Sequence, residues 1–199
     1  MIERCRTPAQ VQRFLTAIPY NRETEGKTCL TFRRVVGEQR THCLEGAMAA
    51  AVIFEQRGRP PLLVSIESQD QLDHVLFLYR VNDRYGAIAR SRDLGLHGRK
   101  AVFRTVRELV MSYFDPYVDK TGRITGYAVA NLLDLGSYDW RLSTRNVWKV
   151  ERFLQDLPHT PIARSEARYQ KCRQRYLEFH AKHPHRSPAY FQDRYLWLL

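Results

Sequence analysis

Several features that would assign a protein class at once are missing from this 199-residue sequence. No apolar run approaches the ~18 residues that a membrane-spanning helix needs, and the longest one, Ala47 to Phe54, is far shorter. The first six residues are charged and lack the apolar core of a signal peptide. There is no internal repeat and no low-complexity segment. We therefore expect a cytoplasmic protein with no membrane partner.

Cysteine is scarce, and its spacing excludes two further classes of protein. None of the four cysteines forms a CxxC pair or has metal-ligand spacing. In a reducing compartment these cysteines are also not expected to form disulfides. We therefore expect no metal and no other cofactor. Each cysteine is interpreted alone, either as a small buried side chain or as a nucleophile; the four are Cys5, Cys29, Cys43 and Cys172.

The charge balance is strongly basic, with 32 Lys and Arg against 21 Asp and Glu and a formal net charge of +11. Such a surface suits a nucleic acid, an anionic surface or an acidic protein. The arginines are scattered rather than grouped in blocks, so a nucleic acid is the less favoured partner. Nothing in the sequence indicates the oligomeric state.

Hydrophobic periodicity predicts an α+β fold with helices first, a small antiparallel sheet next and helices again. The 44% of hydrophobic residues is enough for a real core. We expect a core domain over residues 1–140 and a helical extension over residues 141–199 packed on it. The first predicted helix begins at Pro8 behind a Thr7 cap and runs to residue 18, and a second short apolar face lies at 30–36. Further helices are predicted at 41–57, 102–114, from 143 onward and at 165–183, and strands at 62–66, 74–81, 85–91 and 127–133.

The segment from Thr41 to Ala51 contains the first candidate site residue. Cys43 lies at the start of a predicted helix that Thr41 can cap, and the positive end of the helix dipole favours thiolate over thiol. Glycine and alanine behind Cys43 would let the helix lie close to its neighbour. The alternative is a buried helix whose cysteine only fills space.

A nucleophilic cysteine needs a base, and His74 opens an otherwise apolar strand. If Arg80 pairs with Tyr85 across a hairpin turn, antiparallel register places His74 opposite Ser91. Ala87 and Ala89 would then face the cysteine-bearing helix, with Arg90 and Arg92 pointing away. Asp93 has the same parity as Ser91 but would have to curl back.

These residues together resemble the transglutaminase-like superfamily within the papain-like fold. The resemblance is carried by Cys43 to Ala47, Asp73-His74-Val75 and Tyr85 to Ser91, about a quarter of the chain. The stretch from Ala87 to Leu109 also resembles an uncharacterised bacterial branch of this group. The family has a helix-start cysteine, a histidine opening a strand and a polar residue on the next strand.

The resemblance implies that Cys43 is the nucleophile and His74 the general base. Ser91 stands where the family usually has Asp, sometimes Asn, and a serine cannot stabilise imidazolium by charge. Asp93 is the alternative third residue. An oxyanion hole is expected from the Cys43 backbone N–H and an upstream side chain, for which Gln39 is the candidate.

The function that follows is a cysteine hydrolase or acyltransferase that attacks an amide or ester carbonyl and forms a thioester. Peptidase-type hydrolysis is favoured because water is always available as the acceptor, so the expected partner is a peptide or protein substrate. The alternative is a binding protein that has the same fold but a degraded catalytic site. Its basic surface would bind an acidic protein or a nucleic acid. A third interpretation is an unrelated α+β fold with Cys43 and His74 in its core.

Overall fold

The computed structural model describes residues 2–163, 165–186 and 194–199, and these residues form an α+β fold. The strands are β1 Leu62–Ser68, β2 His74–Val81, β3 Arg84–Ile88, β4 Arg99–Phe103, β5 Ile124–Asn131 and β6 Thr160–Pro161. The helices are α1 Pro8–Ala17, α2 Phe32–Glu38, α3 Cys43–Glu55, α4 Val106–Met111, α5 Phe114–Tyr117, α6 Trp148–Gln155, α7 Glu166–Lys182 and α8 Arg194–Trp197.

The six strands form one open sheet in the order β4-β3-β2-β1-β5-β6, and every neighbouring pair is antiparallel. The hairpin between β2 and β3 has the predicted register, with Arg80 opposite Tyr85 and Leu78 opposite Ala87. The α+β class and the antiparallel sheet are therefore confirmed. The edge strands β4 and β6 were not predicted.

Helix α3 packs on the face of the sheet opposite to the predicted one. Its alanines share a core cluster with Phe77, Tyr79 and Ile88, and the Phe54 and Phe77 rings stack with centroids 5.3 Å apart. Small helix residues leave room for large strand residues, and this complementarity favours the aromatic face. The prediction that the helix covers Ala87 and Ala89 was therefore wrong.

The second face of the sheet carries a separate core. Ala87 and Ala89 lie there with Leu76, Leu78 and the large side chains of α4, α5 and the turn between them. Tyr113 and Phe114 are almost fully buried in this cluster. Bulky helix residues meet small strand residues here, so the size relation between helix and sheet is the reverse of that at α3.

The C-terminal part of the chain contributes to both cores. Val150 and Leu154 of α6 belong to the cluster around α3, whereas Tyr169 and Cys172 of α7 belong to the cluster on the other face. Residue 164 and residues 187–193, which fall within the predicted extension, lie outside the described residues. No helix in the described ranges is long and apolar enough to cross a membrane.

One predicted helix begins in the wrong place. Residues 99–103 form strand β4, with Phe103 opposite Tyr85, and α4 begins only at Val106. Thr105 caps this helix by accepting a hydrogen bond from the Glu108 backbone N–H at 3.0 Å. The pairing with β3 thus overrides the helical spacing that Val102 shares with the residues after it.

Candidate active site

Cys43 is the first residue of α3 and is partly exposed. The N-cap is His42, not Thr41 as predicted, and its backbone is extended. The Cys43 N–H lies in the first helical turn, where the helix supplies no acceptor for it. Cys43 lines two clefts of about 570 Å³ and 490 Å³, so it lies where they meet.

His74 is the first residue of β2, and its ring interacts with the Cys43 thiol in the cleft that both residues line. The ring Nε2 lies 2.9 Å from the Leu96 carbonyl oxygen. Because a carbonyl only accepts, Nε2 carries a proton and donates it, which leaves Nδ1 as the ring atom that can take up and release a proton. The structure therefore brings together the cysteine and the histidine that the sequence singled out.

Ser91 and Asp93 line the larger cleft with Cys43 and His74. The strand that was predicted to carry Ser91 opposite His74 ends at Ile88. The Ser91 hydroxyl accepts the Asp93 backbone N–H at 3.2 Å, and the Ser91 carbonyl accepts from His97 Nε2 at 3.0 Å. The backbone carbonyl of Leu96 thus occupies the place at the His74 ring that was predicted for a side chain.

Gln39 lies at the C-terminal end of α2 in the left-handed conformation, with φ 53°. Its side chain is exposed, and its amide nitrogen donates to the Val36 carbonyl at 2.6 Å. Within the described part of the chain, the linings of the two clefts include the other four predicted site residues but not Gln39. The structure therefore does not bring Gln39 into the site.

His42 is a site residue that sequence reasoning missed. Its ring interacts with Cys43, with which it lines the smaller cleft, and its Nε2 lies 3.1 Å from the Thr28 carbonyl and 3.2 Å from Glu45 Oε1. Neighbouring residues inside a helix do not face each other, but His42 precedes the helix. The available signal was Glu45, three residues after His42, which is the spacing of a helix N-terminus with an acidic third residue.

The Glu45 carboxylate is fully buried and has several donors around it. Burial raises the pKa of Glu45, but its hydrogen bonds, chiefly from the His42 ring, lower the pKa to about 2 overall. The carboxylate is therefore ionised at neutral pH. Its donors are Thr28 Oγ1 at 2.7 Å, the Leu30 N–H at 2.9 Å, the His42 N–H at 2.9 Å and Asn21 Nδ2 at 3.1 Å.

The two histidines set the ionisation of Cys43. Burial raises the pKa of the Cys43 thiol, but hydrogen bonds from His42 and His74 outweigh it and lower the pKa to about 5. Burial lowers the pKa of His42, but its bonds to Cys43 and Glu45 raise that pKa to about 11. At neutral pH the site therefore contains a thiolate beside a protonated His42.

Tyr20 lies beside Cys43 because it forms an isolated parallel bridge with Thr41. It lines both clefts. Burial is the main cause that raises the pKa of Tyr20 to about 12, so its hydroxyl keeps its proton at neutral pH. The ring also contacts the guanidinium groups of Arg90 at 5.4 Å and Arg92 at 5.9 Å.

The sequence matches no protein-family model and no curated protein. Among the residues that the structure describes, no group of three or more His, Cys, Asp or Glu side chains is arranged to hold a metal ion.

Proposed function

We propose that this protein is a transglutaminase-like cysteine hydrolase or acyltransferase that acts on an amide or ester carbonyl, with peptidase-type hydrolysis favoured. The observation that carries the proposal is that Cys43, at the start of α3, and His74 line the same cleft and that the two side chains interact there. The packing of α3 against an antiparallel sheet whose strand β2 begins with the histidine supports a papain-like core.

In the first half of the proposed reaction, the Cys43 thiolate attacks the carbonyl carbon of the substrate. A sulfur–carbon bond forms, and the carbon–nitrogen or carbon–oxygen bond breaks after a tetrahedral intermediate. Protonated His74 gives its proton to the leaving amine or alcohol. The products are a thioester on Cys43, a neutral His74 and the released amine or alcohol.

In the second half, water or an amine attacks the thioester. Neutral His74 accepts the proton of that nucleophile through Nδ1, while Nε2 stays bonded to the Leu96 carbonyl. The carbon–sulfur bond breaks, and Cys43 leaves as a thiolate. The site returns to its starting protonation state, with a carboxylic acid or a new amide as the second product.

Two groups are placed to stabilise the negative oxygen of the tetrahedral intermediate. The Cys43 backbone N–H needs an acceptor because it lies in the first turn of α3. Tyr20 lines both clefts together with Cys43, and its hydroxyl is a proton donor. We assign them as the oxyanion donors.

The shape of the site supports a substrate that extends in both directions from the reacting bond. Cys43 lies where the two clefts meet, and their volumes of about 570 Å³ and 490 Å³ fall in the range of small-molecule or peptide sites. Leu72 lines both clefts and is 63% exposed, so it offers apolar contact area at the junction. A peptide chain fits this arrangement.

The proposal predicts that Cys43 is the reactive cysteine. Near neutral pH, iodoacetamide should alkylate Cys43 faster than Cys5, Cys29 and Cys172, because burial raises the pKa of each of those three thiols. Mass spectrometry over a time course measures the four rates. Equal rates, or protection of Cys43 until unfolding, would contradict an activated nucleophile.

The matching activity test compares Cys43→Ala with Cys172→Ala on a mixture of peptides and simple esters. Cys43→Ala should lose at least about 10³-fold in turnover, and Cys172→Ala should keep it. Turnover that survives in Cys43→Ala refutes the proposal. Binding without turnover by the wild-type protein would identify the degraded binding protein, and a steep salt dependence would point to nucleic acid as its partner.

A further inference from the structure

Cys43 lines the larger cleft with His74 and the smaller cleft with His42, and the proposed reaction uses only the His74 ring as a proton carrier. His42 and His74 differ in the acceptors that face their ring nitrogens. The His42 Nε2 faces two acceptors, the Thr28 carbonyl at 3.1 Å and Glu45 Oε1 at 3.2 Å. His74 Nε2 faces a neutral carbonyl. Only His42 therefore has a carboxylate against its ring.

Glu45 is a buried carboxylate whose other donors are neutral groups. A buried charge is costly unless it is paired and hydrogen-bonded. The side chain of Glu45 is completely buried, whereas that of His42 keeps 14% of its exposure. The nearest cation that can balance Glu45 is a protonated His42, so the pair favours the charged ring.

We propose that His42, held in its charged form by Glu45, is a second catalytic residue that stabilises the Cys43 thiolate, while His74 carries the proton. His42 would act at both points at which the thiolate exists, before attack and on expulsion from the thioester. It would keep its proton throughout, so no bond forms or breaks on its ring. Glu45 acts through His42 and is a positioning residue.

The catalytic part of this inference rests on the proposed function, but the ion pair itself does not. Other charged and titratable groups act on the same two side chains. Glu23 lies 3.9 Å from the His42 ring, and Tyr20, Tyr117 and His74 interact with Cys43. Arg40 interacts with Glu45.

The first test measures the alkylation rate of Cys43 against pH with iodoacetamide, resolved by mass spectrometry. In the wild-type protein the midpoint is expected near the thiol pKa of about 5. In His42→Gln, which keeps an amide donor but cannot be charged, the midpoint should rise by more than about one pH unit. The rate above that midpoint should change little. His180→Gln, which removes a histidine from the same cleft, is the matched control and should leave the midpoint in place.

The second test needs no His42 variant and covers the case in which His42→Gln does not fold. Histidine NMR of the wild-type protein should show one ring that stays protonated well above pH 8. In Cys43→Ala that ring should titrate at lower pH, because coupling between two groups is reciprocal. A His42 ring that titrates near its ordinary pKa of about 6.5 in the wild-type protein overturns the inference. So does an unchanged alkylation midpoint in folded His42→Gln.

Neither measurement uses a substrate, so the two proposals fail separately. If the predicted titration shifts are observed but no substrate is turned over, the His42–Glu45 ion pair is supported and the proposed hydrolase function is refuted. If turnover depends on Cys43 and His74 but the titrations of Cys43 and His42 are unshifted, the hydrolase function is supported and the proposed role of His42 is refuted. Glu45→Gln gives a further readout, since a positioning role predicts an upward shift of the Cys43 midpoint in that variant.

Discussion

At the scale of the residue, the backbone supplies contacts that the sequence pattern assigns to side chains. The His74 ring is oriented by the Leu96 carbonyl, and Ser91 uses its hydroxyl to accept the Asp93 N–H. A carbonyl fixes the tautomer of the ring as well as a carboxylate does, but it adds no negative charge. The carboxylate of this site, Glu45, instead faces His42.

The residue-scale prediction compares Tyr20→Phe with Ser91→Ala. Tyr20→Phe keeps the ring against Arg90 and Arg92 but removes the hydroxyl, so kcat should fall by about 10²-fold with KM little changed. Ser91→Ala should stay close to wild type, because its hydroxyl is bonded away from His74. Steady-state kinetics on an active peptide or ester gives both values. A larger loss in Ser91→Ala than in Tyr20→Phe would contradict the assignment.

At the scale of the element, α3 depends on a glycine at its contact with the segment after β3. A Cβ at Gly46 would lie 3.0 Å from the Cβ of Arg90. Arg90 is buried and tied to the Ile18 carbonyl at 3.0 Å and to the Ser91 carbonyl, although it was predicted to point away from the helix. Arg90 therefore has little freedom to move, and the absence of a side chain at Gly46 lets α3 approach it.

The element-scale prediction uses Gly37 of α2 as the matched control. Gly46→Ala should lower the free energy of unfolding by about 1–3 kcal/mol, because overpacking outweighs the better helix propensity of alanine. Gly37→Ala meets nothing within 4 Å and should be neutral or stabilising by up to about 1 kcal/mol. Urea unfolding measures both. Equal stabilisation by the two substitutions would show that Arg90 moves aside freely.

At the scale of the whole molecule, the segment 194–199 supports the loop that holds His74. The Arg99 guanidinium is buried between the rings of Tyr113 at 3.8 Å and Trp197 at 4.2 Å. It donates to the Gly95 carbonyl at 2.6 Å and to the His97 carbonyl at 2.7 Å. The Leu96 carbonyl lies between these two groups in the chain, so residues remote in sequence help to set the position of the His74 ring.

The whole-molecule prediction compares Trp197→Ala with Tyr195→Ala. Trp197→Ala removes one face of the stack on a desolvated guanidinium, which should cost about 1–2 kcal/mol of stability. It should also slow the alkylation of Cys43, because the loop that holds His74 loosens. Tyr195 is 70% exposed, and its replacement should change neither quantity. Thermal unfolding and the iodoacetamide time course test the pair. If Trp197→Ala is destabilised but the alkylation rate of Cys43 is unchanged, the segment 194–199 does not help to position His74.

The sequence alone determined the features that depend on residues close together in the chain. The Thr7 cap of α1, the α+β order, the register of the β2–β3 hairpin and the helix-start position of Cys43 all follow from local spacing. It also singled out Cys43 and His74, two residues that line the same cleft in the structure. Turns, caps and periodicity act over a few residues, and for that reason they can be recognised without a fold.

The tertiary structure decided what depends on distant contacts and on backbone atoms. The face of the sheet under α3, the strand β4 and the position of Arg90 follow from how side-chain sizes match across the core. The Leu96 carbonyl acts on a ring 22 residues away and the Thr28 carbonyl on one 14 residues away. Every residue has a backbone carbonyl group, so the residue type does not indicate which carbonyl binds a histidine ring. Only the folded chain shows which carbonyl faces each histidine.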